Sequence, residues 1–291
     1  MEDVILIVTN SLVLSSMYVL VALGFAFLLN MLGIFNFAHG AIYMVGGYVG
    51  FLFIAVFGLN PWVGLLLAVL ILALWGVFQA NFFFRPFVGD FNRILMGCVA
   101  ITIIFQTGVN VLAGSQYLAL PPFIRGMLTI GTVNVSYERI LTFVIGFALL
   151  GATIWFVQRT KWGQQMQAIS QDLEGAALQG ISVPRILALA SAVGCGLATI
   201  GGCLLGSYAS LEPFMGDTMM VKVLILAILA GAGSISGILY TGLILGVLDS
   251  VLPVYLPGTT TSLSANAITA AIVVVLILIR PKGFFGHGGW A

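Results

Sequence analysis

Between Val4 and Phe84 the chain carries no Asp, Glu, Lys or Arg. Soluble domains are about 25% charged, so a charge-free stretch of this length has no ordinary soluble fold open to it. In a bilayer, about 20 apolar residues in a helix cross a hydrocarbon core about 30 Å thick. The stretch from Val4 to Phe84 is long enough for three such helices and their turns. The rest of the chain agrees: it is 61% hydrophobic and 7% charged over 291 residues, with a mean hydropathy of +1.18. A transmembrane barrel would show alternating segments of about 10 residues, a pattern missing from this sequence. The chain therefore reads as an all-α polytopic membrane protein.

Continuous apolar segments broken by turn residues and charges give seven full spans, at about 5–30, 39–57, 62–84, 94–113, 140–158, 186–211 and 264–279. Gly58-Leu59-Asn60-Pro61 reads as a tight turn. Residues 114–139 form a loop, and the alternation in 127–137, MLTIGTVNVSY, predicts a short β-hairpin outside the membrane. The segment 222–252 is different. Its first apolar piece is only a half-span, and AGAGSISG interrupts it before a second apolar helix. This predicts a discontinuous or re-entrant helix pair, making about eight membrane segments in one transmembrane domain covering 1–291. Irregular backbone at membrane depth is tolerated only where protein or a cavity surrounds it.

Basic residues set the expected orientation. With the N-terminus outside, Arg85, Arg93, Arg159, Lys161, Arg185, Arg280 and Lys282 lie inside, against Arg125, Arg139 and Lys222 outside. This makes 159–185 a cytoplasmic loop and 114–139 a periplasmic one, with the C-terminus cytoplasmic. The opening residues Met1-Glu2-Asp3-Val4 lack the basic region of a cleaved signal peptide. The net charge of +1 says nothing about partners, and no basic tract suggests nucleic acid. The three cysteines, Cys98, Cys195 and Cys203, lie in apolar stretches and read as small helix residues. With His39 and His287 the only histidines, no metal site is expected.

The loop 159–185 is the longest polar stretch on the inner side. In QQMQAISQDLEGAALQ, the residues Met166, Ile169, Leu173, Ala176 and Ala177 recur at helical spacing, which predicts one amphipathic surface helix. Gly180 would close it, and Pro184 would open the next helix. The helix is either an ordinary interfacial one or a docking element for a cytoplasmic partner.

Four motifs occur in order: NFAHGAIYMVGGY from Asn36, EGAALQGI from Glu174, AGAGSISG from Ala230 and RPKGFFG from Arg280. Together they resemble the bacterial branched-chain amino-acid ABC permeases, specifically the shorter of the two paired permease subunits. The EGAALQGI stretch is similar to the coupling loop of ABC-importer permeases. On that resemblance, Gln164, Gln167, Asp172, Glu174, Ala176, Ala177 and Gly180 would transmit motion from an ATPase. Gln164 and Gln167 stand where the family usually has Arg, and Ala230-Gly231-Ala232-Gly233-Ser234 stands where it usually has Gly-Gly-x-Gly-Ser. The resemblance implies four partners: a second related permease subunit, two cytoplasmic ATPase subunits and a periplasmic substrate-binding protein. The sequence contains no G-x-x-x-x-G-K-[ST] phosphate cradle. ATP and Mg would therefore belong to the ATPase subunits. This chain would carry no catalytic residue and no cofactor.

Two helix starts rich in small residues stand out. Asn36 and His39 precede Gly40, Gly46 and Gly50; Ser234 and Ser236 precede Gly242 and Gly246. Gly46/Gly50 and Gly242/Gly246 have the spacing that lets membrane helices approach closely. Their likeness suggests two pseudo-related halves. In transporters, half-helix N-termini at repeat interfaces point into the pathway. Asn36, His39, Gly40, Gly233, Ser234 and Ser236 are thus the candidate lining of a translocation path, and a capped turn between two spans is the plainer alternative for Asn36 and His39. The expected function is an ATP-driven importer subunit for branched-chain or apolar amino acids. The same machine carrying urea or short amides is an alternative. An ion-coupled carrier or channel is another, but it rests only on Asp249, the one acid inside an expected intramembrane segment. A non-transporting scaffold would not need Asn, His and Gly breaks at membrane depth.

Overall fold

The computed structural model describes residues 2–130, 133–231, 235–255, 268 and 271. Among them, seven helices are long and apolar enough to cross a membrane. In chain order, α1 is Glu2–Leu32, α2 is His39–Phe51 with a π-helical extension Leu52–Val56, and α3 is Pro61–Gln79 with short continuations to Phe87. Next come α4 (Phe91–Ala113), β1 (Met127–Ile130), β2 (Val133–Ser136) and α5 (Tyr137–Arg159). They are followed by α6 (Lys161–Gln171), α7 (Leu173–Leu178), α8 (Val183–Tyr208), α9 (Met215–Ala230) and α10 (Ile235–Tyr255).

The helix boundaries follow local chemistry. Gly58 takes a positive φ of 66°, which needs no Cβ, and Asn60 then caps α3 by accepting from the Trp62 N–H at 3.0 Å, with Pro61 at the first helical position. Asp90 caps α4 through the Arg93 N–H at 3.1 Å and also ion-pairs with the Arg93 side chain at 2.8 Å. The expected hairpin forms, with β1 and β2 antiparallel and Met127 opposite Ser136.

Two expectations change. In the region 222–252 two helices flank the small-residue stretch, but with bounds other than those expected. Its first helix, α9, starts earlier, at Met215, and ends at Ala230, while α10 runs 21 residues from Ile235 to Tyr255. At about 1.5 Å per residue, α10 alone matches the hydrocarbon thickness. Gly231 leaves α9 at a φ of +81°, so the break falls where the small residues are. Gly233 and Ser234, and the expected span 264–279 apart from positions 268 and 271, lie outside the described residues. The second change is in the 159–185 loop, where the single expected helix is two. Asp172 is extended, at φ −154° and ψ 103°, and its carboxylate accepts from the Gly175 N–H at 2.9 Å. An Asp that can cap the following turn favours that over continuing a helix.

The chain divides into two compact units, each made of separated segments: 1–22, 124–148 and 221–291 in the first, 23–123 and 149–220 in the second. In the first unit small residues set the helix approach. A Cβ on Gly246 would meet the Ser15 main-chain N at 2.7 Å and the Ser11 carbonyl at 2.8 Å, and one on Gly146 would meet Ser16 Cβ at 2.6 Å. Arg139 donates to Asn10 Oδ1 at 2.9 Å, and buried Glu138 accepts from the Ile124 N–H at 3.2 Å.

In the second unit α8 packs against α2 and α3. A Cβ on Gly46 would meet Thr199 Cα at 2.6 Å, and one on Gly76 would meet the Ser191 carbonyl oxygen at 2.5 Å. Gly24 and Gly194 close on each other's main chain, each hypothetical Cβ lying 2.7 Å from the other's carbonyl oxygen. Both glycine pairs singled out by spacing are therefore helix-packing devices.

Candidate functional site

In the linker between α1 and α2, Ile34, Asn36 and Ala38 are buried, and its polar groups are organised by Asn36. Ala38 ends the linker without a side-chain cap of its own. Asn36 Oδ1 instead accepts from the Ala38 N–H at 3.2 Å, while the Asn36 carbonyl accepts from the His39 N–H at 3.0 Å. The same Oδ1 accepts from Gln79 Nε2 at 3.3 Å and from the Cys98 thiol at 3.5 Å. Asn36 thus joins the linker to α3 and α4 inside the second unit. Thr102 adds a further tie, donating to the Phe37 carbonyl at 3.4 Å.

His39 is buried at the start of α2. Its ring stands edge-on to Phe25, with centroids 5.9 Å apart, and a Cβ on Gly24 would fall 3.1 Å from it. Gly40 faces the start of α9: a Cβ on Gly216 would meet the Gly40 carbonyl oxygen at 2.5 Å, and one on Gly40 would meet Met220 Cβ at 2.8 Å. The main chains of α2 and α9 touch there because neither position carries a side chain. The structure therefore brings together Asn36, His39 and Gly40. Ser236 falls in the first turn of α10, in the other unit.

Sequence reading missed Gln79 and Cys98 as partners of Asn36. Gln79 carried a signal, being a buried amide in an otherwise apolar span, which requires a partner. Cys98 carried none.

A second buried polar cluster lies in the first unit. Lys222 Nζ sits 2.6 Å from Asp249 Oδ2 and 2.6 Å from the Tyr18 hydroxyl. Tyr18 in turn donates to Asp249 Oδ2 at 2.7 Å, and Lys222 also lies 4.6 Å from the Tyr18 ring centroid. Both charged side chains are largely buried. Asp249 is therefore a paired carboxylate joining α10 to α9 and α1, rather than an isolated acid.

The polar loop forms a compact surface element. Thr160 caps α6, accepting from the Gly163 N–H at 3.1 Å. Gly163 lies against the end of α5, where a Cβ would meet Val157 Cα at 2.5 Å, so only glycine lets α6 turn back so sharply. Met166, Ile169 and Ala176 are buried. Leu173 and Ala177, expected on the same face, are exposed because the break at Asp172 rotates α7 relative to α6. Gln164, Gln167, Asp172, Glu174 and Gly180 are exposed as well. Leu178, which the spacing did not single out, is 89% exposed at the end of α7. Gly180 closes the element with a φ of +84°.

Among the described residues, no three His, Cys, Asp or Glu side chains gather as a metal site. Cys98, Cys195 and Cys203 are buried free thiols, and Cys203 donates to the Gly46 carbonyl at 3.4 Å.

Seven helices among the described residues, long and apolar enough to cross a membrane, define a polytopic helical membrane protein. The model of the branched-chain amino acid transport system permease component matches residues 7–280, and the chain belongs to that family. LivH, a high-affinity branched-chain amino acid transport system permease protein of Salmonella typhimurium, is 30% identical over 96% of this chain and 94% of its own. BraD, which bears the same description in Pseudomonas aeruginosa, is 29% identical over 96% of this chain and 94% of its own. Among solved structures, PsaBC from Streptococcus pneumoniae in complex with Fab shares the fold. It has a TM-score of 0.55 and 15% identity over 95% of this chain and 92% of that one.

Proposed function

We propose that the chain is one permease subunit of an ATP-driven importer for branched-chain and other apolar amino acids. It would work in a bacterial inner membrane beside a second, related permease. Two cytoplasmic ATPases would bind ATP and Mg, and a periplasmic binding protein would deliver the solute. The observation that carries this reading is the family match across 7–280, supported by relatives described as branched-chain amino acid permeases over nearly their whole length.

The chain's own part is mechanical. The surface element from Lys161 to Gly180 would receive ATPase movement through Gln164, Gln167, Asp172, Glu174, Ala177 and Gly180, and pass it to α5 and α8, between which it lies in the chain. Asn36, His39 and Gly40 would border the path. The pairing of Asp249 with Lys222 supports ATP drive over ion coupling, because a carboxylate that cycles protons or sodium must shed its partner on each turnover.

The test is uptake into proteoliposomes holding the complete complex. The expected result is leucine uptake that needs both ATP and the loaded binding protein. Uptake driven by a proton or sodium gradient without the ATPases would overturn the reading. ATP-dependent uptake of urea or acetamide with none of leucine would keep the machine and change its solute.

A further inference from the structure

The Asn36 amide is short of partners. Its oxygen accepts from the Ala38 N–H, Gln79 and Cys98. Its Nδ2 donates to nothing among the described residues, and Gln79 Oε1 accepts from nothing there. Both residues are at most 1% exposed. Turning the amides over does not solve this. A main-chain N–H can only donate, so the Asn36 atom facing Ala38 must be oxygen. Gln79 must then offer its NH2 to that oxygen and keep its own carbonyl away from it.

The same spot is the start of α2, a helix of 13 residues. Its first turn has N–H groups without intrahelical acceptors. The His39 N–H goes to the Asn36 carbonyl and the Ile42 N–H to the Ala38 carbonyl. The buried Gly40 and Ala41 N–H groups between them have no acceptor among the described residues.

We propose that Asn36 Nδ2, the Gly40 and Ala41 N–H groups and Gln79 Oε1 form a subsite for the zwitterionic end of a free α-amino acid. The donors lie at the positive end of the α2 dipole and suit a carboxylate. Gln79 Oε1 supplies an acceptor for the ammonium group. Neutral amides serve a passing zwitterion better than ionised side chains, which are costly inside a membrane and would hold one end too strongly for release. Because Asn36 is buried here, the solute reaches it in a different conformation of the transport cycle. The assignment rests on the reading of the chain as an amino-acid permease.

Cys98 is a native reporter, its sulfur 3.5 Å from Asn36 Oδ1. In the assembled complex, modification of Cys98 by N-ethylmaleimide is followed on this chain by mass spectrometry, with buried Cys195 as the internal reference. ATP turnover should raise the rate at Cys98 at least tenfold over that at Cys195, and at a matched rate of ATP hydrolysis leucine-loaded binding protein should hold it severalfold below the rate with unloaded binding protein. A rate insensitive to leucine would overturn the subsite and leave water as the occupant.

A second arm compares Gln79→Met, Asn36→Leu and the double variant. The double variant should assemble at least as well as Asn36→Leu, because both amides are gone and no mismatch between them remains. Its leucine uptake per complex should stay at least tenfold below wild type. Restored uptake in the double variant would mean the amides serve only each other. Absence of ATP-dependent leucine uptake by the wild-type complex would instead overturn the permease reading, and this assignment with it.

Discussion

Lys222 and Asp249, 27 positions apart in sequence, meet at 2.6 Å in a largely buried ion pair, with the Tyr18 hydroxyl bonded to both. Breaking such a pair from one side strands a buried charge, at a cost of about 3–5 kcal/mol, whereas replacing both partners with apolar residues is often neutral. Lys222→Met and Asp249→Leu should each lower the thermal midpoint of the detergent-solubilised chain by several degrees. The double variant should recover most of that loss. A double variant as unstable as the sum of the singles would mean that the pair does not couple the two positions.

Glycine positions make an internal comparison. Gly46 faces the main chain of Thr199, with Cα 2.6 Å from a hypothetical Cβ, whereas Gly108 has nothing within 4 Å. Gly46→Leu should reduce assembled complex before it changes uptake per complex, since over-packing costs about 1–3 kcal/mol or more. Gly108→Ala should stabilise the isolated chain by about 0.5–1 kcal/mol through helix propensity. Thermal unfolding of the two purified variants checks both signs, and a tolerated Gly46→Leu would refute the close approach of α2 and α8.

The exposed end of α7 gives a coupling test. Gly180→Arg and Leu178→Glu should uncouple ATP hydrolysis from stimulation by loaded binding protein while membrane insertion is retained. Gly180 has a positive φ, so Gly180→Ala serves as the control for backbone strain alone and should be much milder than Gly180→Arg. Asp172→Ala should cost about 0.5–2 kcal/mol as a lost cap and weaken coupling part-way. Wild-type stimulation in Gly180→Arg would rule out docking at this surface.

Orientation is open to direct labelling. With Arg85, Arg93, Arg159, Lys161, Arg185, Arg280 and Lys282 on the cytoplasmic side, Glu2→Cys should react with an impermeant thiol reagent added outside. Gly288→Cys should react only in inverted vesicles. Labelling of both from one side would mean that the number of crossings between them differs by one, most simply in the region of α9 and α10.

Apolar runs, turn residues and caps are local properties, and they were enough to place six of the seven expected spans to within a few residues; the seventh, 264–279, lies outside the described residues. They also fixed the hairpin at 127–137. The glycine spacings named the packing faces of α2 and α10, because a missing Cβ at every fourth residue has little other use in a membrane helix. What sequence could not supply was which polar side chain meets which. Asn36 with Gln79 and Cys98, and Lys222 with Asp249 and Tyr18, are set by the rotation and depth of whole helices, which depend on all their apolar contacts at once. The start of α9 at Met215 and the split at Asp172 came from the same source. Hydropathy weighs residues singly, whereas a buried hydrogen bond or ion pair exists only once the tertiary structure brings its two halves within about 3 Å.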